Sequence, residues 1–121
     1  MTPVLERQAS VYPQGRMIGV VLKGIPADQK ILKLPTKKLN QNKDEFPVII
    51  GKRFAESAKL KKGDRVQIRW RDKNGTYDAN TIIIEEIFDS NVPNIDTGKI
   101  WIDIEKLWKM TGLENQATYF I

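Results

Sequence analysis

The chain has 121 residues, 40% hydrophobic and 29% charged, the size and composition of one globular domain rather than a disordered or fibrous segment. Cysteine and histidine are both absent, which excludes a disulfide scaffold, a thiolate zinc site, a cysteine nucleophile and the commonest general base. Twenty basic residues against fifteen acidic ones leave a net charge of +5, and no apolar run approaches the roughly 20 residues that a membrane helix needs.

Taken in chain order, Met17 to Pro26 is β-rich and closed by Pro26, which predicts a largely buried strand ending in a turn. Residues 27–46 hold Pro35, the amides Asn40-Gln41-Asn42 and the charges Lys43-Asp44-Glu45. They read as an irregular connection, long enough to be a functional loop or a crossing between subdomains. Phe46 to Gly51 predicts a short strand. Lys52 to Lys62 predicts a helix whose apolar stripe is Phe54, Ala55 and Ala58, with Lys59, Lys61 and Lys62 near its C-terminal end and Gly63 as the left-handed residue that stops it.

Asp64 to Arg71 alternates cleanly, with Val66, Ile68 and Trp70 on one face and Arg65, Gln67, Arg69 and Arg71 on the other. Asp72-Lys73-Asn74-Gly75 is a hairpin signal, because Asn-Gly accepts the positive φ angles of a tight turn. The return strand runs from Thr76 to Phe88, with Ile82, Ile83, Ile84, Ile87 and Phe88 as its core. Asp89 to Gly98 reads as a polar loop and Lys99 to Ile102 as a strand. Asp103 then caps a second helix, over which Ile104, Leu107, Trp108 and Thr111 repeat at helical spacing until Gly112. Ala117 to Ile121 is strand-like. An apolar strand with no polar tail at one end, and no targeting signal at the other, predict a fragment of a longer chain.

The chemistry-bearing residues do not converge. Ser57 and Lys61 are four apart on the first predicted helix, a spacing a Ser–Lys dyad could use but one that a solvated helix face explains far better. Glu85 and Glu86 are strand neighbours and point to opposite faces, so they cannot flank one bond. Asp89, Asn91, Asn94 and Asp96 make an oxygen-rich loop without the central glycine and terminal glutamate of an EF-hand. Gly15, Gly19 and Gly24 are spread through a strand and form no phosphate cradle. Val66 to Arg71 supplies cations and a tryptophan, but single-strand binding needs both on one surface, and alternation sends Trp70 to the core and the arginines outward. No catalytic, cofactor-binding or metal residue is therefore assigned. The candidate partner contact is the polar hairpin tip, Lys73, Asn74, Gly75 and Tyr77, where Tyr77 offers aromatic area and a hydroxyl.

Val48-Ile49-Ile50-Gly51-Lys52, a short helix to Leu60, then Lys62-Gly63-Asp64-Arg65-Val66 resembles the "viGkelA…lglkvGDkV" stretch of one group of proteins. These are the extracytoplasmic domains of ABC-transporter permeases of the MacB, FtsX and LolC/LolE type. Leu22-Lys23-Gly24-Ile25, Ile84-Glu85-Glu86-Ile87-Phe88-Asp89 and Ile100-Trp101-Ile102-Asp103-Ile104-Glu105-Lys106-Leu107 resemble further strands of that family, in the same order, over most of residues 17–121. Glu86 stands where the family strand has a glycine. The connection Asp72 to Asn80 is too short for the long hook by which lipoprotein-releasing members recruit a carrier.

The resemblance implies an α+β fold, with mixed or antiparallel sheets, two short helices near 52–62 and 103–111, and a β-rich insert-like subdomain beside a smaller α/β part. Residues 1–45 would hold a strand and the long connection, and 46–121 the β-rich part. The implied function is non-enzymatic: a domain on the extracytoplasmic (periplasmic) side of a bacterial inner membrane that couples cytoplasmic ATP hydrolysis to a partner or cargo. It implies no cofactor. The implied partners are the transmembrane helices of the same permease, an ABC ATPase domain or subunit, and a companion permease or periplasmic protein, with no nucleic acid. The competing readings are a small basic nucleic-acid-binding β domain and an unrelated protein-interaction domain.

Overall fold

A computed structural model describes residues 2–28, 46–89 and 98–121. Residues 29–45 of the connection expected over 27–46, and most of the oxygen-rich loop, including Asn91, Asn94 and Asp96, lie outside the described residues. In chain order the elements are β1 (Pro3–Val11), a 3-10 turn (Pro13–Gly15), β2 (Ile18–Ile25), β3 (Phe46–Gly51), α1 (Lys52–Ala58), β4 (Arg65–Arg71), β5 (Tyr77–Phe88), β6 (Lys99–Asp103), α2 (Ile104–Thr111) and β7 (Tyr119–Phe120).

The expected α+β fold, with a β-rich insert-like subdomain beside a smaller α/β part, is corrected by this arrangement. Strands make up about half of the described chain, and six of them close into one barrel in the ring order β1-β2-β6-β3-β5-β4. The closing strand is β1, which carries no strand signal because Glu6, Arg7 and Gln8 interrupt its apolar positions. It pairs with β2 from Leu5↔Gly24 to Val11↔Ile18, and with β4 from Ala9↔Trp70 to Val11↔Ile68. Such closure depends on partners some 60 residues away in sequence and leaves no local trace.

Alternation sends one side chain of each strand pair inward. Leu5, Val11, Val20, Leu22, Val48, Ile50, Val66, Ile68, Trp70, Ile82, Ile84, Ile100 and Ile102 are buried in one core. Ile87 also packs against that core although it has the wrong parity relative to Ile84. The cause is a bulge: Val48 pairs with Ile84 but Ile49 pairs with Glu86, so Glu85 is the extra residue and the faces exchange after it.

The helices plug the barrel. β3 runs straight into α1 and β6 straight into α2, and β3 and β6 are antiparallel, so the helices start from opposite ends. α1 contributes Phe54, Ala55 and Ala58; α2 contributes Ile104, Leu107 and Met110. Trp70 is 3% exposed and its Nε1 donates to the Met110 carbonyl at 2.9 Å, tying β4 to α2. Asp103 caps α2 as expected, its carboxylate accepting from the Glu105 amide at 3.1 Å. The first helix is shorter than expected: Lys59, at φ 58°, stops it, and Gly63, at φ 91°, serves the turn into β4 instead. Trp108 is half-buried rather than core, with its Nε1 donating to the Gln116 carbonyl at 2.8 Å.

A second, smaller apolar cluster lies outside the barrel wall. Val4, Ile25, Ile49, Phe88 and Trp101 pack there under Tyr119 and Ile121. The covering strand β7 pairs with the start of β1, Pro3↔Phe120 and Val4↔Tyr119. Thr2 and Ile121 exchange both backbone hydrogen bonds at 2.9 Å.

Candidate binding surface

The hairpin tip forms where Asn-Gly predicts it. Gly75 has φ 79°, and the Asp72 carboxylate accepts from the amides of Asn74 (2.8 Å) and Thr76 (3.0 Å). Lys73, Asn74 and Gly75 are exposed, but the tip is seated on the end of α2: the Lys73 amide donates to the Thr111 carbonyl at 2.9 Å, and the Lys73 stem lies over Gly112. Lys73 thus has a structural role that the sequence does not reveal. Tyr77 is 61% exposed and leaves the tip residues for another group, its ring lying 4.5 Å from the Arg71 guanidinium.

That group is the outer face of β4, β1 and β2. Directly opposed residues in an antiparallel pair share a face, so Arg71 joins Tyr77, Arg69 joins Ala79, and Ser10 joins both Arg69 and Gly19. Small residues at Ser10 and Gly19 leave a broad open concavity of about 970 Å³, lined also by Arg7, Tyr12, Met17, Arg71 and Tyr77. Arg69 lies 5.7 Å from the Tyr12 ring centre. The concavity therefore holds two arginine–tyrosine stacks, each favoured by attraction of the cation to the ring face.

The sequence reading separates the arginines from the tryptophans correctly: Trp70 is in the core and Arg65, Arg69 and Arg71 are exposed. It misses the tyrosines that other segments bring to the arginine face. Tyr12 comes from the end of β1, and the signal that could have placed it is Tyr12-Pro13-Gln14-Gly15, a turn sequence that folds β1 back on β2.

The electrostatics of the concavity are one-sided. Arg69 and Arg71 form no ion pair among the described residues. Arg7 spends its guanidinium on the carbonyls of Arg71 and Asp72 at 2.8 and 3.1 Å, and its charge remains. Glu6, the acidic residue of the lining, is neutralised by Lys23 at 3.0 Å. Asp78 opposes Trp70 and so lies on the other face of the β4–β5 ribbon.

Lys23 itself is a buried cation, 8% exposed, between the rings of Trp101 and Tyr119 at 5.2 and 5.5 Å. Burial opposes its charge, but hydrogen bonds to the Tyr119 hydroxyl (3.0 Å) and Glu6 outweigh that, and its pKa is raised above 10.5. Lys99 shifts down, through burial and then the charge of Lys23.

Beside α2, Pro3, Pro26, Ala27, Asp28, Asp103, Ile104, Glu105 and Trp108 line a smaller hollow of about 310 Å³. Burial, opposed by the Glu105 amide and aided by the charges of Glu105 and Asp28, pushes the Asp103 carboxyl above its ordinary 3.8.

Other candidates separate. Ser57 lies at the end of α1, whereas Lys61 lies beyond its left-handed stop and its amide donates to Asp64 at 2.9 Å, so the helical i, i+4 relation is lost. Among the described residues, no cluster of His, Cys, Asp and Glu could hold a metal ion. No described helix is long and apolar enough to cross a membrane. No protein-family model matches the chain, and no curated protein matches it either.

Proposed function

We propose that the chain is a non-enzymatic extracytoplasmic domain of an ABC-transporter permease, one that passes the work of a cytoplasmic ATPase to a partner or cargo outside the inner membrane. The observation that carries this reading is the resembling run from Val48, which forms one continuous unit, β3-α1-β4, in which the Gly63 amide turns the chain by donating to the Ile84 carbonyl at 2.7 Å. Gly24, the glycine shared with the family's strand, is the point where β2 touches α2. The partners of such a domain are its own transmembrane helices, an ABC ATPase, and a companion permease or periplasmic protein.

The test is the full coding sequence in its genome. The reading expects apolar spans of about 20 residues on both sides of residues 1–121 and an ABC ATPase encoded in the same chain or beside it. A coding sequence with no such span on either side would overturn it.

A further inference from the structure

We propose that the concavity on the outer face of β1, β2 and β4 binds an extended acidic polypeptide segment, with Arg69 and Arg71 taking alternate carboxylates and Tyr12 and Tyr77 holding the arginines in place. This goes beyond the permease reading and does not require it.

Four observations converge. First, Arg69 and Arg71 are exposed, carry no ion pair among the described residues, and are already ordered by ring stacking at 5.7 and 4.5 Å. A guanidinium fixed on a ring keeps its in-plane N–H donors free for a carboxylate and loses little freedom on binding. Second, the two arginines are two residues apart on a strand, so they repeat at about 6.6–6.8 Å. An extended peptide presents alternate side chains on one face at the same spacing, which matches carboxylates at every second position. Third, the acidic member of the lining, Glu6, is tied to Lys23 at 3.0 Å, so the surface offered to a partner is cationic. Fourth, Met17 at the rim is 70% exposed and Tyr77 61% exposed, giving apolar area beside the charges, as protein-recognition surfaces do.

A nucleic-acid strand fits less well. Base stacking needs free aromatic faces, and here each tyrosine has one face covered by an arginine while Trp70 is in the core.

The experiment is a fluorescence-anisotropy titration of the 121-residue chain with a labelled peptide of alternating glutamate and threonine. A lysine–threonine peptide and a labelled oligothymidylate are the comparison probes. Melting curves certify that each variant is folded. The expected result is saturable binding of the glutamate peptide, absent for the lysine peptide. Arg69→Glu/Arg71→Glu should weaken it by at least about tenfold, since reversed charges oppose a complementary partner. The same charge change at two exposed cations outside the concavity, Lys52→Glu/Lys109→Glu, should leave affinity within about twofold, as scattered surface charges are screened. Tyr12→Ala/Tyr77→Ala, which keeps the charge, should also weaken binding. Three results would overturn the proposal: no binding of the glutamate peptide, equal losses in the two charge-reversal variants, or tighter binding of oligothymidylate that depends on Arg69 and Arg71.

Discussion

One strand of this barrel carries two glycines for which the same substitution should have opposite effects. At Gly24 an added Cβ would lie 2.9 Å from Leu107 Cδ2, 3.1 Å from the Ile104 Cα and 3.2 Å from Leu107 Cβ. The Leu107 methyl could rotate, but the Ile104 contact is backbone at the first residue of α2 and moves only if the helix moves. Overpacking of this kind costs about 1–3 kcal/mol. The gain from restricting the unfolded chain offsets about 0.4–1 kcal/mol of it. Gly24→Ala should therefore destabilise by about 1–2 kcal/mol and lower the melting temperature by roughly 4–10 °C.

At Gly19, five residues earlier, a Cβ meets nothing within 4 Å and the backbone is not left-handed. Only the unfolded-state gain remains there, so Gly19→Ala should raise stability by about 0.4–1 kcal/mol. Urea unfolding followed by the fluorescence of the buried Trp70 and Trp101 measures both. In a Leu107→Ala background the Gly24→Ala cost should shrink, a coupling expected of residues in contact. A Gly24→Ala protein as stable as the parent would mean that α2 is not seated against β2 and that the plug is misplaced.

Trp70→Phe should cost about 1–3 kcal/mol, because the buried Met110 carbonyl loses its donor; an unchanged urea midpoint would refute the bond. Asp103→Ala should cost about 1 kcal/mol through the lost cap, whereas Asp103→Asn keeps an acceptor for the Glu105 amide. The folded-state pKa of Asp103 is raised, so its stabilising contribution is complete below 3.8 and is lost as pH rises through the folded value. The advantage of Asp103→Asn over the parent should accordingly grow from pH 3 toward neutrality, read from melting temperatures across that range. Lys23 also has a raised folded pKa, so its contribution is complete below 10.5 and is lost above it. The stability gap between the parent and Lys23→Met should narrow as pH climbs past 10.5, and a gap that stays constant would show that the charge contributes nothing.

Local signals were legible where one short segment decides the outcome. Asn74-Gly75 fixed its own turn, Asp103 its own cap, and the alternation of Val66, Ile68 and Trp70 their burial, because each depends on residues within reach along the chain. The barrel was illegible because its closure rests on β1, whose polar residues at 6–8 break the pattern and whose partners are β2 and β4. The first helix stops short of the expected 62 because Lys59, an ordinary residue, adopts the left-handed conformation that glycine signals more reliably. The binding surface was half legible for the same reason. The arginine row can be read from β4 alone, but Tyr12 reaches it only through the β1–β4 pairing, and the seat of Lys73 on α2 exists only in three dimensions.

The ribbon that joins the chain's ends has a mechanical consequence. Thr2 and Ile121 sit at the same end of an antiparallel pair that is bonded at Thr2–Ile121 and again from Thr118 to Val4. A load drawing the two ends apart would strain these bonds one after another, as a zipper opens, rather than together. Beyond Val4, β1 is laced to β2 on one side and to β4 on the other, so tension meets a far stiffer barrel. The stacked Lys23 and Tyr119, bonded at 3.0 Å, sit at that junction and form the side-chain cross-link that a peeling C-terminal strand would have to break once the Thr2–Ile121 bonds had opened. Under such a load the chain would lengthen at the β1–β7 ribbon first, as a fuse does, while the cylinder behind it keeps its shape.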